Sequence, residues 1–600
     1  MSFKGKQSRF KTLTEDTLNY YKRIKEVLQD DNSIDVQVID NIFSQLTQEA
    51  VAVCKHPETS AIIELLINHA SCANVASLLQ IFATDWDAVC NDSSASHVVQ
   101  KCVLVSPKLF AEQVSQFDID NCSEDSSEDQ LILKILSLCE HILNNLEKCL
   151  THTHMSHIVR SMLQILGGTF VDEKILKSKG SRNYSKKNEP DRKQKDIHFQ
   201  DFDVPAAFRK QLKFVYKTIF RLDNFGVYIT ESNANPILQT LLLVLNKANT
   251  ELCQKAINKV IKRSRIKDDV EQVNLPPVAA DSIGSFLVEQ IIGLCSEELF
   301  RKLFERLFHN RLLQFATHAS ANYVLQTFIR KCRDKDIFKS VVDELNNCIS
   351  AVLDARNYGV LVAVVETAEK LTCKQDSILQ MLMTGLQCWE PEERRTSCVA
   401  LLAAFTTHDN FNSGSHDETS ARPAIRKVNY HGSLLLQHLV NFRKVKMLET
   451  GFLDLQPGEV SMLACDPCGS HVMEAALRSA AIREKTKEGL VSKMAGSWVQ
   501  LACHKNGSRT LESIWKNVPL KLREVIATEL AEKQDRLKSD MFGRHIVRNF
   551  ALQHFKTRKN DWTMLQKGDK KKREMFRDVI GSETDVKQPK QKKRKVKKDQ

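Results

Sequence analysis

The sequence predicts an all-α protein whose helices stack into a solenoid, and three observations carry that prediction. One short pattern recurs: a small residue, a polar or small residue, a variable residue, two apolar residues, then Gln, Glu or Arg. With its second residue as anchor, copies stand at Ser60, Ser96, Ser156, Asn235, Ser285, Asn322, Val360, Ser433, Ser470, Ser508 and Arg544. The uninterrupted steps between anchors are 36 to 38 residues long, a single repeat length. Finally, each copy is amphipathic at helical spacing. In His318 to Cys332, Asn322 and Gln326 share one face while Val324, Leu325 and Phe328 turn to another.

At 600 residues the chain is too long for one compact core, whereas a solenoid grows by adding repeats. Residues 1–40 read as an N-terminal basic segment and cap. Lys4, Lys6, Arg9 and Lys11 have no apolar stretch behind them, so no secretory signal is expected. Residues 41–555 read as the repeats, interrupted by an acidic serine-rich insertion at 118–129 and a basic polar one at 177–203. The step from Val360 to Ser433 is close to two periods, and a degenerate copy fits near Ser397. No run reaches the roughly 18 apolar residues of a membrane span. Residues 556–600 hold 17 Lys and Arg against 7 Asp and Glu, so this tail, expected to be disordered, carries +10 of the net +12. The body is almost neutral.

The 17 cysteines are scattered among apolar residues, as at Cys102, Cys139, Cys332 and Cys398, which fits reduced core thiols. Cys465 and Cys468 form one Cys-x-x-Cys with His471 beyond it, but no second pair lies at zinc-site spacing and the repeat register explains the segment. His152, His154 and His157 are read the same way, so no metal and no cofactor is expected. No Walker-type loop, G-x-S-x-G elbow or H-E-x-x-H occurs, and Asp466 and Asp540 before their anchors read as helix caps rather than catalytic acids. No enzyme class is indicated.

Two amides that donate and accept, with Tyr323 beside them, are what the edge and face of one unpaired base require. In a single stretch, a buried polar pair on an ordinary helix explains as much; recurrence favours the base. Asn322 with Gln326, and Asn235 with Gln239, match the donor and acceptor of uracil. Ser60 with Glu64, Ser285 with Glu289, Ser470 with Glu474 and Ser508 with Glu512 place an accept-only carboxylate where guanine offers two donors. Stacking candidates directly after the anchor are His97, His157, Phe286, Tyr323, His471, Arg509 and His545. Val360, Leu361 and Val364 leave one copy without a polar contact residue.

The segments SNANPILQTLL, DSIGSFLVEQII, HASANYVLQTF, YHGSLLLQHLV, PCGSHVMEAAL, KNGSRTLESIW and MFGRHIVRNFA resemble the Pumilio, or PUF, repeat. The resemblance implies a right-handed α-solenoid of about eleven three-helix repeats, C- or U-shaped, whose concave face binds single-stranded RNA. Counted from the anchor, the first and fifth residues would contact a base edge and the second would stack. By that family's code Ser96 with Gln100 and Ser433 with Gln437 resemble adenine readers, while Ser156 with Arg160 and Arg544 with Arg548 depart from the code. Long insertions, a degenerate middle and a basic tail look like the nucleolar branch of the family. That branch implies pre-ribosomal RNA and pre-ribosomal particle proteins as partners, without DNA or membrane, for a monomer that controls small-subunit (18S) precursor processing by occupancy. Lys592, Lys593, Arg594 and Lys595 resemble a nuclear localisation signal, which fits the nucleus and nucleolus. The competing expectation is a HEAT- or armadillo-like protein-binding scaffold or transport receptor.

Overall fold

Small residues precede every anchor but Ser156, which follows Met155, and at the glycines they have a steric cause. A Cβ at Gly469 would lie 2.6 Å from the Leu463 carbonyl oxygen, and one at Gly543 would lie 2.6 Å from that of Leu537. The helix bearing the anchor starts by pressing its backbone onto the end of the short helix before it, so only small side chains enter. Four residues before most anchors, though not at His56 before Ser60 or Arg356 before Val360, a polar side chain accepts from the first free amides of that helix. Asp281 Oδ1 takes Ile283 and Gly284 N–H at 2.9 and 2.6 Å, and Asp466 and Asp540 do the same. His152, His318 and His504 fill this role through Nδ1.

A computed structural model describes residues 13–29, 35–111, 117, 122, 125–171, 199–264, 275–413 and 424–568. It is a helical repeat solenoid that divides into two compact units, Met1–Ala363 and Val364–Gln600. In the first unit the anchor-bearing helices Pro57–Leu66, Ala95–Leu109, Met155–Gly167, Ala234–Ala248, Gly284–Leu294 and Ala321–Lys331 each pack on the next. The second repeats this with Cys398–Ala404, Tyr430–Leu439, Gly469–Arg478, Lys505–Asn517 and Gly543–Asn549. The helix Gly359–Leu371 carries Val360, and the boundary between units falls inside it. Cys398–Ala404 is the degenerate copy expected near Ser397, so the described residues hold twelve such inner helices.

Three helices make one repeat. Glu297–Leu303 runs into a π-helical turn Phe304–Phe308, then comes the short Leu312–Thr317, then the inner helix Ala321–Lys331. Their apolar faces meet around Phe328, whose ring stacks 4.2 Å from Phe308 and 4.4 Å from Phe300. Burial of these apolar side chains is what stabilises the repeat. All cysteines are free, and burial pushes the Cys102 and Cys139 thiols up to about 12.

The chain differs from the sequence reading in three places. Residues 199–203, taken as insertion, begin with a strand Phe199–Asp201 that pairs antiparallel with Thr169–Val171, because Gly168 at φ +71 turns the chain out of the preceding helix. The end of the acidic insertion is the start of the helix Ser127–Asn144: Ser126 caps it, and Glu128 and Asp129 lie in its first turn, where acids suit the helix dipole. The fold also continues past residue 555. A helix over 559–568 brings Trp562 into full burial, with its Nε1–H donating to the Phe550 carbonyl at 2.8 Å. Lys592 to Lys595, half of the acidic insertion and most of the basic one lie outside the described residues.

Candidate nucleic-acid interface

The inner helices decide which motif residues can meet a ligand. Anchors lie at the first turn, where the side chain can return to carbonyls left open at the helix start, and most do so. Ser156 Oγ donates to the Thr153 carbonyl at 2.9 Å, and Ser60, Ser470 and Ser508 likewise bond the carbonyl three residues upstream. Ser433 Oγ instead donates to the Cys468 carbonyl of the next repeat at 2.7 Å. Ser96 and Ser285 are buried as well. The serine anchors, expected to touch base edges, therefore belong to the packed interior.

The amide copies are the sharpest departure from expectation. Asn322 Nδ2 donates to the His318 and Ala319 carbonyls at 2.8 and 2.9 Å, and its Oδ1 accepts from Gln326 Nε2 at 2.9 Å. Arg330 closes the set by donating to Gln326 Oε1 at 3.3 Å, while Gly359 lies against the same amide, 2.6 Å from where its Cβ would be. Asn235 and Gln239 are 0% and 1% exposed, with Gln239 Nε2 bonded to Asn235 Oδ1 and Asn235 Nδ2 to the Ile229 carbonyl, each at 2.6 Å. The helix Ala234–Ala248 is buried on nearly every side, so this pair does not present itself as a uracil reader. Four-residue spacing puts two amides on one face; packing decides whether that face is open.

At most copies the position after the anchor points outward, the buried Pro236 and Leu361 being the exceptions. His97, His157, His471, Arg509 and His545 are exposed, Phe286 is half-buried, and Tyr323 is 56% exposed although its neighbours on both sides are buried; the anchor Arg544 is exposed too. Most fifth-position residues lie deeper: Glu64, Gln100, Arg160, Gln437, Glu474 and Glu512 are half-buried, Gln239, Glu289 and Gln326 are buried, and Arg548 is exposed. Inner helices thus offer rings and guanidinium groups in front with carboxylates and amides behind them.

One contact in this row has a different outcome. Arg160 donates to His157 Nδ1 at 2.5 Å, so the fifth and second positions of that repeat engage each other. Desolvation, then the Arg160 charge, pushes the His157 imidazole down to about 4, leaving it a neutral acceptor at neutral pH.

A further set of residues was missed in the sequence. In three repeats the residue following the fifth position bonds the fifth-position residue of the repeat before it. Gln100 Nε2 donates to Ser161 Oγ at 3.0 Å, Thr327 Oγ1 to Glu289 Oε2 at 2.8 Å, and Asn549 Nδ2 to Glu512 Oε1 at 2.8 Å. The available signal was a polar side chain at one register in Ser161, Thr327 and Asn549, visible only once successive repeats are aligned side by side.

The NOP9-like PUF repeat domain matches residues 48–545. Nucleolar protein 9 of Homo sapiens is 27% identical over 586 residues, covering 95% of this chain and 91% of its own. Pumilio homolog 23 of Arabidopsis thaliana is 22% identical, covering 95% and 75%. A solved structure of APUM23-GGAGUUGACGG superposes with a TM-score of 0.72 at 20% identity, covering 93% of this chain and all of that one, which is a likeness of fold.

Proposed function

Because the chain belongs to the NOP9-like PUF repeat family, we propose that it binds single-stranded or partly structured pre-ribosomal RNA along its inner helices and controls small-subunit (18S) precursor processing by occupying that RNA. It is a nucleolar protein, as its relatives' names have it. The carrying observation is the set of outward residues on separate inner helices, His97 and Tyr323 in the first unit and His471, Arg509 and His545 in the second, with half-buried Gln or Glu behind three of them at Gln100, Glu474 and Glu512. A flat or planar cationic group takes a base face without regard to sequence, and the acceptor behind it discriminates the edge. Buried Asn235 and Gln239 stay out of the contact set, and Asn322 holds Gln326 in place. Occupancy suffices as a mechanism, since a bound strand is withheld from a nuclease. Pre-ribosomal particle proteins are the attendant partners of a monomeric chain.

The test is enrichment of a random single-stranded RNA pool at physiological salt, with wild type beside a Tyr323→Ala, His471→Ala, Arg509→Ala variant. Wild type yields a motif, and the variant binds that motif at least tenfold more weakly with unchanged thermal unfolding. An unenriched pool, or equal binding by the variant, sinks the proposal and leaves the protein-scaffold reading.

A further inference from the structure

The body of the chain is nearly neutral, yet its positive charge is not evenly spread. The outer helix Ala206–Ile219 has the sequence AAFRKQLKFVYKTI, without one acid, and Arg221 follows it. The outer helix of the following repeat, Thr250–Arg263, carries Lys255, Lys259, Lys262 and Arg263 against Glu251 alone. The two helices are neighbours: Lys259 Nζ lies 4.8 Å over the Tyr216 ring and 5.5 Å from that of Phe220. Glu251 is taken by Lys255 at 2.6 Å. Arg263 donates to the Leu222 carbonyl at 2.7 Å, which fixes it against the first helix's end.

That leaves Lys210, Lys213, Lys217, Arg221 and Lys262 exposed, with no ion pair among the described residues. Lys213 and Lys217 stand four residues apart, about 6 Å along the helix axis, and Arg221 follows four residues on in the turn after the helix. Between the lysines Phe214 is 51% exposed on the same face. An apolar ring at the centre of a lysine stripe is a costly choice for a merely solvated surface, whereas cations that track a backbone around a ring that stacks a base are the usual means of holding a nucleic-acid strand without reading it.

We propose that this outer ridge, formed by Lys210, Lys213, Phe214, Lys217, Arg221 and Lys262, is a second RNA contact that grips the phosphate backbone of sequence flanking the segment held on the inner helices. It rests on the RNA-binding reading for the identity of the strand. The ridge contributes affinity and salt dependence but no base preference, because its cations meet phosphates and Phe214 accepts any base face.

The experiment uses the full chain and two RNAs: a short one enriched from the pool, and the same motif extended by about twenty nucleotides on each side. Salt titrations compare wild type with a Lys210→Glu, Lys213→Glu, Lys217→Glu variant and with Phe214→Ala, after thermal unfolding has confirmed that both fold. Wild type binds the extended RNA more tightly and with a steeper log–log salt slope than the short one. The charge variant loses that gain, its slope on the extended RNA falling by about two (~0.7 per lost contact on single strands) while the short RNA and its enriched motif are unaffected. Phe214→Ala weakens only the extended RNA, about fivefold or more. Equal slopes for wild type and charge variant on the extended RNA overturn the ridge as an RNA contact, as does equal affinity of wild type for the short and the extended RNA. An acidic peptide that binds wild type but not the charge variant, with RNA slopes unchanged, assigns the ridge to a protein instead. If wild type enriches no motif the inner-helix reading fails, and a random RNA of each length still decides the ridge by the same slopes.

Discussion

Asn322 and Tyr323 are adjacent and do opposite work. The asparagine spends both Nδ2 donors on carbonyls at the start of its helix and its Oδ1 on Gln326, so its hydrogen-bonding capacity is consumed inside the protein. The tyrosine projects outward. Asn322→Ala strands a buried donor on Gln326 and open helix-start carbonyls, and is expected to cost about 1–3 kcal/mol of stability, measured by urea unfolding. Tyr323→Ala is expected to leave the unfolding midpoint within error and to weaken RNA binding by about 1–3 kcal/mol, the worth of one stacked base. A midpoint shift in the second and none in the first would reverse these roles. The spacing of the pair was legible in the sequence, but its hydrogen-bond partners were not, since carbonyls at a helix start are invisible in side-chain patterns.

At the scale of the element, the bonds from one inner helix to the preceding one couple repeats through their ligand-facing residues. Thr327 donates to Glu289 from the next helix along, so Thr327→Val removes a charge-assisted bond without changing shape. It is expected to destabilise by ~1–3 kcal/mol and to alter RNA preference at the base nearest Glu289, with Thr327→Ser restoring both. The C-terminal helix is the other element that packing alone reveals. Trp562 is fully buried, its ring 6.0 Å from that of Trp515, and Trp515 stacks 3.8 Å from Phe550. Gln566 Oε1 accepts from both Trp515 Nε1 and Arg523 at 3.2 Å. Ending the chain at residue 555 deletes Trp562 and Gln566 and should lower the stability of the last repeat by about 3–5 kcal/mol, while ending it at 568 should not; differential scanning calorimetry of the two truncations distinguishes them. A lone Trp among Lys and Asp gave no periodic signal, so the segment read as tail.

Over the whole molecule, repeats contact chiefly their neighbours, and damage stays local. Glu449 shows how. Burial alone would raise its carboxyl, but Arg483 outweighs that through its backbone N–H at 2.7 Å and Nε at 2.8 Å, with Thr486 at 3.2 Å, and holds it below the ordinary glutamate value. A depressed carboxylate stabilises the fold above its unfolded pKa of about 4.3 and loses that contribution as pH falls through the lower folded value. Hydrogen exchange should therefore quicken below about pH 4 in Lys446–Asp454 and Glu484–Ser492 more than in a Glu449→Gln variant, which has already lost the charge. Equal acceleration in both would remove Glu449 as the cause.

By itself the sequence determined the solenoid, its repeat length, the register of the inner helices and the degenerate copy near Ser397, because a motif at a fixed step and helical periodicity are local properties. Caps such as Asp466 and Asp540 were legible for the same reason. Only the tertiary structure decided which motif residues face outward. Asn235 with Gln239 and Asn322 with Gln326 have the same spacing and chemistry, but the first pair is fully buried, while the second has exposed Tyr323 beside it. Accessibility depends on what the neighbouring repeats lay over a helix, and those contacts come from about one repeat length away in a chain whose pattern repeats regardless of them.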